Sequence, residues 1–150
     1  MAYELVKVAT ESDWRDYHSL RRAVLWEARG RSNYDDRHAA EYLPNHHPLL
    51  MKLDGRPIGT TRLDDFGHGR GAVRLVAIAI GVQRQGHGRA LSLLVEDYAR
   101  RLEINTLLVN AAPEAVGYYQ KLGWEAYIWD EPELSGIAAG ATQMRKSLFE

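Results

Sequence analysis

The stretch Leu75-Val76-Ala77-Ile78-Ala79-Ile80-Gly81-Val82-Gln83-Arg84-Gln85-Gly86-His87-Gly88-Arg89-Ala90 decides the fold. Its first half, Leu75 to Val82, holds only apolar residues and glycine, the pattern of a strand covered on both faces and so central to its sheet. Its second half runs directly into a helical repeat. Leu91, Leu94, Val95, Tyr98 and Leu102 share a face, and Arg100 and Arg101 occupy the last turn, where cations favour the helix dipole. A buried strand that turns straight into a helix leaves successive main-chain N–H groups at the helix N-terminus, and such an end binds anions. Glycine at 86 and 88 lets a phosphate approach the main chain and permits dihedrals that larger residues resist. The same glycines also suit a plain tight turn, so context has to choose between the two. Two other phosphate motifs are missing. No G-x-x-x-x-G-K-[ST] occurs, Leu91 stands where the dinucleotide fingerprint needs its third glycine, and the strand Thr106 to Ala111 ends without an acid.

Outward from this centre, Tyr3, Leu5, Val6 and Val8 read as a first strand, and Thr10-Glu11-Ser12-Asp13 caps a helix. That helix has Tyr17, Leu20, Val24 and Ala28 on one face and closes near Gly30. A second short helix is predicted from Tyr34 to Leu43, with Asp35 and Asp36 in its first turn and Pro44 as its stop. Leu49 to Leu53 and Ile58 to Leu63 read as strands joined by the turn Asp54-Gly55-Arg56-Pro57, and Phe66 to Gly71 forms a second glycine-rich turn. Beyond Thr106 to Ala111, Pro113 opens a helix with Ala115, Tyr118, Tyr119 and Leu122 on one face, which Lys121 and Gly123 close. Trp124 to Trp129 and Thr142 to Leu148 complete the strands around a loop containing Pro132, Gly136 and Gly140. The predicted order is β-αα-βββ-α-β-α-ββ. It makes one α/β (α+β) domain over residues 1–150, a mixed central sheet of about seven strands flanked by roughly four helices.

Composition narrows the function classes. The 150 residues include no cysteine, which excludes a disulfide scaffold, a thiolate zinc site and a thiol nucleophile. A formal charge of -1 offers no net attraction to nucleic acid. No apolar run approaches membrane-spanning length, and the N-terminal segment lacks the layout of a signal peptide, so the expected location is cytoplasmic. His46, His47 and His68 fit no standard ligand spacing, so no metal is expected and these histidines are read as surface residues.

Gln83, Gly86 and Gly88 match the pattern [QR]-x-x-G-x-[GA], and Ala115, Tyr118, Tyr119, Lys121, Gly123 and Trp124 match A-x-x-[FY]-Y-x-K-x-G-[FW]. On these two motifs, in this order, the chain resembles the GNAT superfamily of acyl-CoA-dependent N-acetyltransferases, most strongly from Ala72 to Trp124. The glycine run also resembles that of bacterial members acting on protein N-termini. The resemblance implies fourth and fifth strands that splay apart, with the pantetheine arm of acetyl-CoA lying in the gap. The main chain of Val76, Ala77 and Ile78 would then pair with its amides as if it were an added strand. The amides of Gln83, Arg84, Gln85, Gly86, His87 and Gly88 would take the pyrophosphate, with the His87 backbone mattering more than its ring, and Arg84 and Arg89 would add charge-assisted contacts.

It further implies direct attack by an amine on the thioester, an oxyanion donor near Ile78, and Tyr119 as the general acid, since a phenol with a pKa of about 10 stays protonated at neutral pH. Plain packing is the other reading of Tyr119. The base departs from the family's patterns. Ala72, Arg74 and Leu107 stand where relatives place a glutamate, which weakens the N-terminus substrate class, and Ala112 replaces an asparagine. Asp64 and Asp65 are fallback bases that read more simply as solvated hairpin charges. Asn110 sits in an apolar strand and calls for a partner. Trp26, Arg29, Arg31 and Tyr34, facing Trp129, Asp130, Glu131 and Glu133, occupy positions where family members shape the acceptor pocket. The expected activity is acetyl transfer from acetyl-CoA to a primary amine of a small molecule, peptide or protein, with a homodimer as an open possibility. A non-catalytic acyl-CoA-binding or sensing domain is the alternative.

Overall fold

Seven strands form one sheet in the computed structural model, which describes residues 2–149. They are β1 (Tyr3–Lys7), β2 (His46–Leu53), β3 (Arg56–Gly67), β4 (Arg70–Ile78), β5 (Thr106–Ala111), β6 (Glu125–Ala126) and β7 (Thr142–Ser147), arranged β1-β2-β3-β4-β5-β7-β6. All neighbours are antiparallel except β4 and β5, which run parallel. Three α-helices are present among the described residues: α1 (Glu11–Arg21), α2 (His87–Arg101) and α3 (Val116–Lys121).

Period-two alternation in the strands divides the core between the two faces of the sheet. Leu49 and Met51 of β2 pack with Leu91, Val95 and Ala99 of α2 and with Tyr119 and Trp124. Leu50, between them, turns to the opposite face and meets Val8 and Tyr17 of α1. The α2–α3 layer and the α1 layer therefore lie on opposite sides. At the β2–β3 hairpin, Asp54 (φ 51°) and Gly55 (φ 83°) are both left-handed, as the tight turn there requires.

Three expectations need correction. The central strand begins and ends earlier than its apolar run: β4 stops at Ile78, and Ala79 to Val82 form a surface turn in which Gly81 has φ 99° and Ile80 is largely exposed. The buried part of β4 is Gly71, Ala72, Val73 and Ala77. Arg70 and Arg74 disguised its first half, because the ion pairs that let Arg74 sit in a central strand are not local.

The helix predicted over Tyr34 to Leu43 is also absent, leaving extended chain and a short 3-10 turn at Ala39–Tyr42. Here side chains compete for the backbone donors, since Asp35 accepts from the Arg37 N–H (2.9 Å) and the His38 ring from the Ala40 N–H (3.1 Å). Finally, α1 does continue to Gly30, but through a π-turn at Arg22–Trp26 and a 3-10 turn at Glu27–Arg29. The widened turn carries the buried stripe through Tyr17, Arg21 and Leu25 and leaves Ala28 exposed.

Arg21 is 3% exposed and opens a chain of alternating charges. Arg21 and Arg62 both donate to Glu41, Arg62 and Arg74 both donate to Asp64, and Arg74 donates to Glu133. Tyr17 adds a hydroxyl donor to Glu41 (2.8 Å). Burial by itself would raise the Glu41 pKa, but Arg21, then Arg62 and Tyr17, more than offset it and hold the carboxyl below its usual range. A depressed folded-state pKa stabilises the fold above the unfolded value, about 4.3, and that stability is lost as the pH falls through the folded value.

Glu41→Ala is expected to cost about 3–5 kcal/mol in urea denaturation at pH 7, because it strands the buried Arg21 guanidinium and takes from Arg62 one of its two carboxylate partners. Asp36→Ala, at the exposed pair with Arg22, should cost at most ~1 kcal/mol. Stability of the wild type should also fall more steeply below pH ~4.5 than that of Glu41→Ala. Equal losses in the two variants would show that the buried chain of charges contributes nothing special.

Candidate active site

Parallel pairing of β4 with β5 runs from Arg70↔Thr106 to Val73↔Val109 and then ends. From there β4 stays with β3, while β5 keeps its other edge on β7 as far as Ala111↔Thr142. A gap opens between residues 74–78 and the end of β5. An extra residue in β4 marks its start: the register against β3 slips between Arg62↔Arg74 and Thr60↔Ala77, and Leu75 takes a left-handed φ of 53°. The Thr61 hydroxyl donates to the Arg74 carbonyl (2.8 Å), satisfying an acceptor that the bulge removes from the ladder.

Beyond the bulge, Ala79 N–H donates to Ile58 O, so by alternation Ala77 faces β3 while the main chain of Val76 and Ile78 turns to the gap. Of the three residues expected to offer their backbone, Val76 and Ile78 turn theirs to the gap, and the Ile78 carbonyl already accepts from Gln83 Nε2 (2.9 Å). The bulge also divides neighbouring side chains between the faces. Val76 lines a small crevice with Thr61, Leu91, Tyr119 and Trp124, whereas Leu75 lines a cleft of about 680 Å³ on the α1 side with Trp26, Arg31, Tyr34 and Arg62.

The glycine loop lies past the end of β4. Gly81 (φ 99°), Arg84 (φ 63°) and Gly86 (φ 86°) curl it tightly, and the Gln83 side chain donates to Ile78 O (2.9 Å), so Gln83 holds the loop to the strand. The amides of His87, Gly88 and Arg89 open α2 and find no acceptor among the described residues. Arg84 and Arg89 are exposed beside them. The His87 ring, which the sequence reading set aside, is buried, and its Nδ1 is 2.7 Å from the Tyr3 hydroxyl, tying the start of α2 to β1. A phosphate-sized anion fits these residues: a Cβ on Gly88 would stand in the cradle 3.4 Å from the Tyr118 hydroxyl, an ordinary contact.

Tyr119 is 8% exposed, packed edge-on to Tyr118 and Trp124, and its hydroxyl makes no hydrogen bond among the described residues. Burial, with a smaller push from Tyr118, raises its pKa to about 12. It therefore stays protonated across the neutral range and faces the crevice on the α2 side of the gap.

At the mouth of the gap the structure assembles what periodicity could not show. Glu133, from the β6–β7 loop, accepts from Arg74 (3.1 Å to Nη2) and from Asn110 Nδ2 (3.2 Å). Arg74, then burial in the opposite sense, leaves its pKa below the usual carboxylate range. Asn110 also accepts from Gln143 Nε2 (3.1 Å), which gives this strand asparagine its partners. Asp64 is 1% exposed inside the charge chain, contrary to its reading as a solvated charge, while Asp65 simply accepts the Gly67 N–H in the hairpin turn. His46 and His47 are likewise half-buried and bonded, to Ala40 O and the Tyr98 hydroxyl respectively, and only His68 is a surface residue. The Glu-Pro-Glu run around Pro132 was the available signal for a loop anchored by an acid.

A mixed sheet whose fourth and fifth strands part beside a glycine-rich helix start defines the architecture of the acyl-CoA N-acyltransferases. The model of the acetyltransferase (GNAT) family matches residues 7–124, and the chain belongs to that family of transferases. It is 24% identical over 120 residues to the uncharacterized protein YyaT of Bacillus subtilis (strain 168), spanning 79% of this chain and 80% of that one. The fold is similar to the crystal structure of a Lactobacillus plantarum protein described as an N-acetyltransferase (TM-score 0.81, 22% identity, 99% of this chain and 100% of that chain). It is also similar to PaiA N-acetyltransferase from Thermoplasma acidophilum in complex with coenzyme A (TM-score 0.73, 15% identity, 98% and 99%). At these identities the structural likeness concerns the fold. Among the described residues no helix is long and apolar enough to cross a membrane.

Gly88→Ala should leave the thermal midpoint unchanged or slightly higher, since alanine suits a helix and the added methyl meets only an ordinary contact. In calorimetry it should weaken coenzyme A binding by roughly tenfold or more, about 1.4 kcal/mol. Undiminished affinity would remove the start of α2 from the phosphate site.

Proposed function

We propose that this chain transfers an acetyl group from acetyl-CoA to a primary amine by direct attack. The observation that carries this reading is the gap after Val73↔Val109, which opens onto Tyr119 on one face of the sheet and onto a cleft on the other. Donor and acceptor reach it from opposite sides. In this reading the amides of His87, Gly88 and Arg89 and the side chain of Arg84 hold the pyrophosphate, and the main chain of Val76 and Ile78 orients the pantetheine arm. Acetyl-CoA supplies the activated thioester. One N–C bond forms as one C–S bond breaks; the amine gives up its proton to solvent water, and the departing sulfur receives one from the Tyr119 hydroxyl, which regains it from solvent. The main-chain N–H groups beside the bulge are placed to donate to developing negative charge on oxygen. Holding both reactants in one gap supplies the largest share of the rate, since alignment replaces a bimolecular encounter.

A second reading, an acyl-CoA-binding or sensing domain without turnover, draws on one specific observation. The carboxylates near the gap, Asp64 and Glu133, are both engaged by arginine, so the charge of each is already answered within the fold rather than held ready for an ammonium group.

An amine panel followed by release of free CoA separates the two readings: turnover on any amine excludes the sensor, and a silent panel with intact coenzyme A binding supports it. With an active amine in hand, Tyr119→Phe is expected to lower kcat by about 10²–10⁴-fold while leaving the coenzyme A Kd unchanged. Undiminished turnover in that variant would return Tyr119 to a packing role.

A further inference from the structure

The α1-side cleft holds a guanidinium without an ion-pair partner among the described residues. Three arginines line it. Arg21 and Arg62 share Glu41, and Arg62 also holds Asp64, so their charges are answered within the fold. Arg31 is half-buried and makes neither an ion pair nor a side-chain hydrogen bond among the described residues. Its position is nevertheless fixed. Gly30 ends the helical segment at φ 72°, its N–H donates to Glu27 O (3.0 Å), and the Arg31 N–H donates to Trp26 O (2.8 Å). These two bonds are the paired closure of a Schellman motif, and they anchor the backbone of Arg31 on a helix end.

Beside it stands a stiff aromatic wall. Trp26 and Tyr34 meet edge to face with centroids 4.7 Å apart. Tyr34 is braced by the His18 ring at its hydroxyl and by Arg22, whose guanidinium carbon lies 5.1 Å from its ring centroid. The lining carboxylates do not compensate Arg31: Glu41 is consumed by two arginines, and Asp35 is exposed and already accepts the Arg37 N–H. At its other end the cleft reaches Leu75, the bulge residue at the gap.

Resting on the acetyl-transfer reading, we propose that the acceptor is a small primary amine that also carries a carboxylate, a molecule of the amino-acid class. Arg31 receives the carboxylate and the Trp26–Tyr34 pair flanks the carbon skeleton, leaving the amine directed toward Leu75. A half-buried guanidinium on a rigid backbone suits a carboxylate because its planar fork donates two parallel hydrogen bonds, and little side-chain freedom is lost in forming them. A polyamine would meet the same charge as repulsion.

The test sets amino acids against their carboxamides and against diamines of equal length, using the whole chain loaded with coenzyme A for binding and supplied with acetyl-CoA for turnover. Binding is measured by calorimetry and turnover by CoA release, in the wild type, Arg31→Ala and Arg31→Lys. Amino acids should bind at least ~10-fold more tightly than their amides, about 1.4 kcal/mol. Arg31→Ala should erase that difference through KM with kcat at saturation and the coenzyme A Kd unchanged, and Arg31→Lys should restore part of it. Amides or diamines binding as well as amino acids, or a preference that survives in Arg31→Ala, overturns the carboxylate assignment. Turnover of those same amines would leave acetyl transfer standing. Arg31-dependent binding of amino acids with no CoA release refutes the transfer reading and keeps the carboxylate site, whereas a panel that neither binds nor reacts overturns the proposal.

Discussion

Everything at the centre of this molecule depends on the parting of β4 from β5 after Val73↔Val109. Strands in a sheet keep their ladder unless each has another use for its main chain, and here both do: β4 stays with β3, and β5 holds β7. The bulge at Leu75 begins the separation, and Thr61 satisfies the carbonyl that the bulge would otherwise leave unpaired. The main chain of Val76 and the Ile78 N–H are thereby left facing the gap in the middle of a sheet, while the Ile78 carbonyl takes the Gln83 side chain. The same bulge sends Leu75 to one face and Val76 to the other, so a single irregularity gives the gap both of its entrances.

Around that gap the protein spends charge where other folds use apolar packing. Arg21, Glu41, Arg62, Asp64, Arg74 and Glu133 alternate in sign from α1 through the sheet to the β6–β7 loop. Buried pairs of this kind contribute little net stability relative to a hydrophobic core of the same volume, yet each member is costly to remove alone. Their consequence is positional. Segments with little regular structure, the turn at Ala39–Tyr42 and the loop carrying Glu133, are held at defined places beside the cleft and the gap. Asn110 and Gln143 extend the hold, because Gln143 accepts from the Trp129 and Asp130 N–H groups as it donates to Asn110. The loop is therefore fixed at several points, though its own residues form only short turns.

Readings that depended on neighbouring residues match the structure. The capped start of α1, the hairpin at Asp54-Gly55, the helical face of α2 and the order of strands all follow from periods and turn chemistry within a few residues. Errors arose where distant partners changed the meaning of a residue. Arg74 lay outside the apolar run and is a half-buried strand position, because Asp64 and Glu133 compensate it. Ala79 to Val82 looked like core and forms a turn, since an apolar run does not say which side of a bend it occupies. The residues from Tyr34 to Leu43 carried helix start and stop signals, but Asp35 and His38 diverted the backbone donors that a helix needs.

By itself the sequence determined what the proposed donor half rests on: the strand-to-helix glycine loop, the place of Tyr119 and membership of the acetyltransferase (GNAT) family. A phosphate cradle consists of consecutive main-chain amides, so its whole specification is local and written in order along residues 83–89. Only the tertiary structure decided the acceptor half. Arg74 meets a glutamate 59 residues away, Arg21 meets one 20 residues away, and of the three arginines lining the α1-side cleft Arg31 is the one without an ion pair among the described residues. Pairing between distant charges follows from how layers stack on the sheet, and no periodicity along the chain records which arginine will be left without a partner.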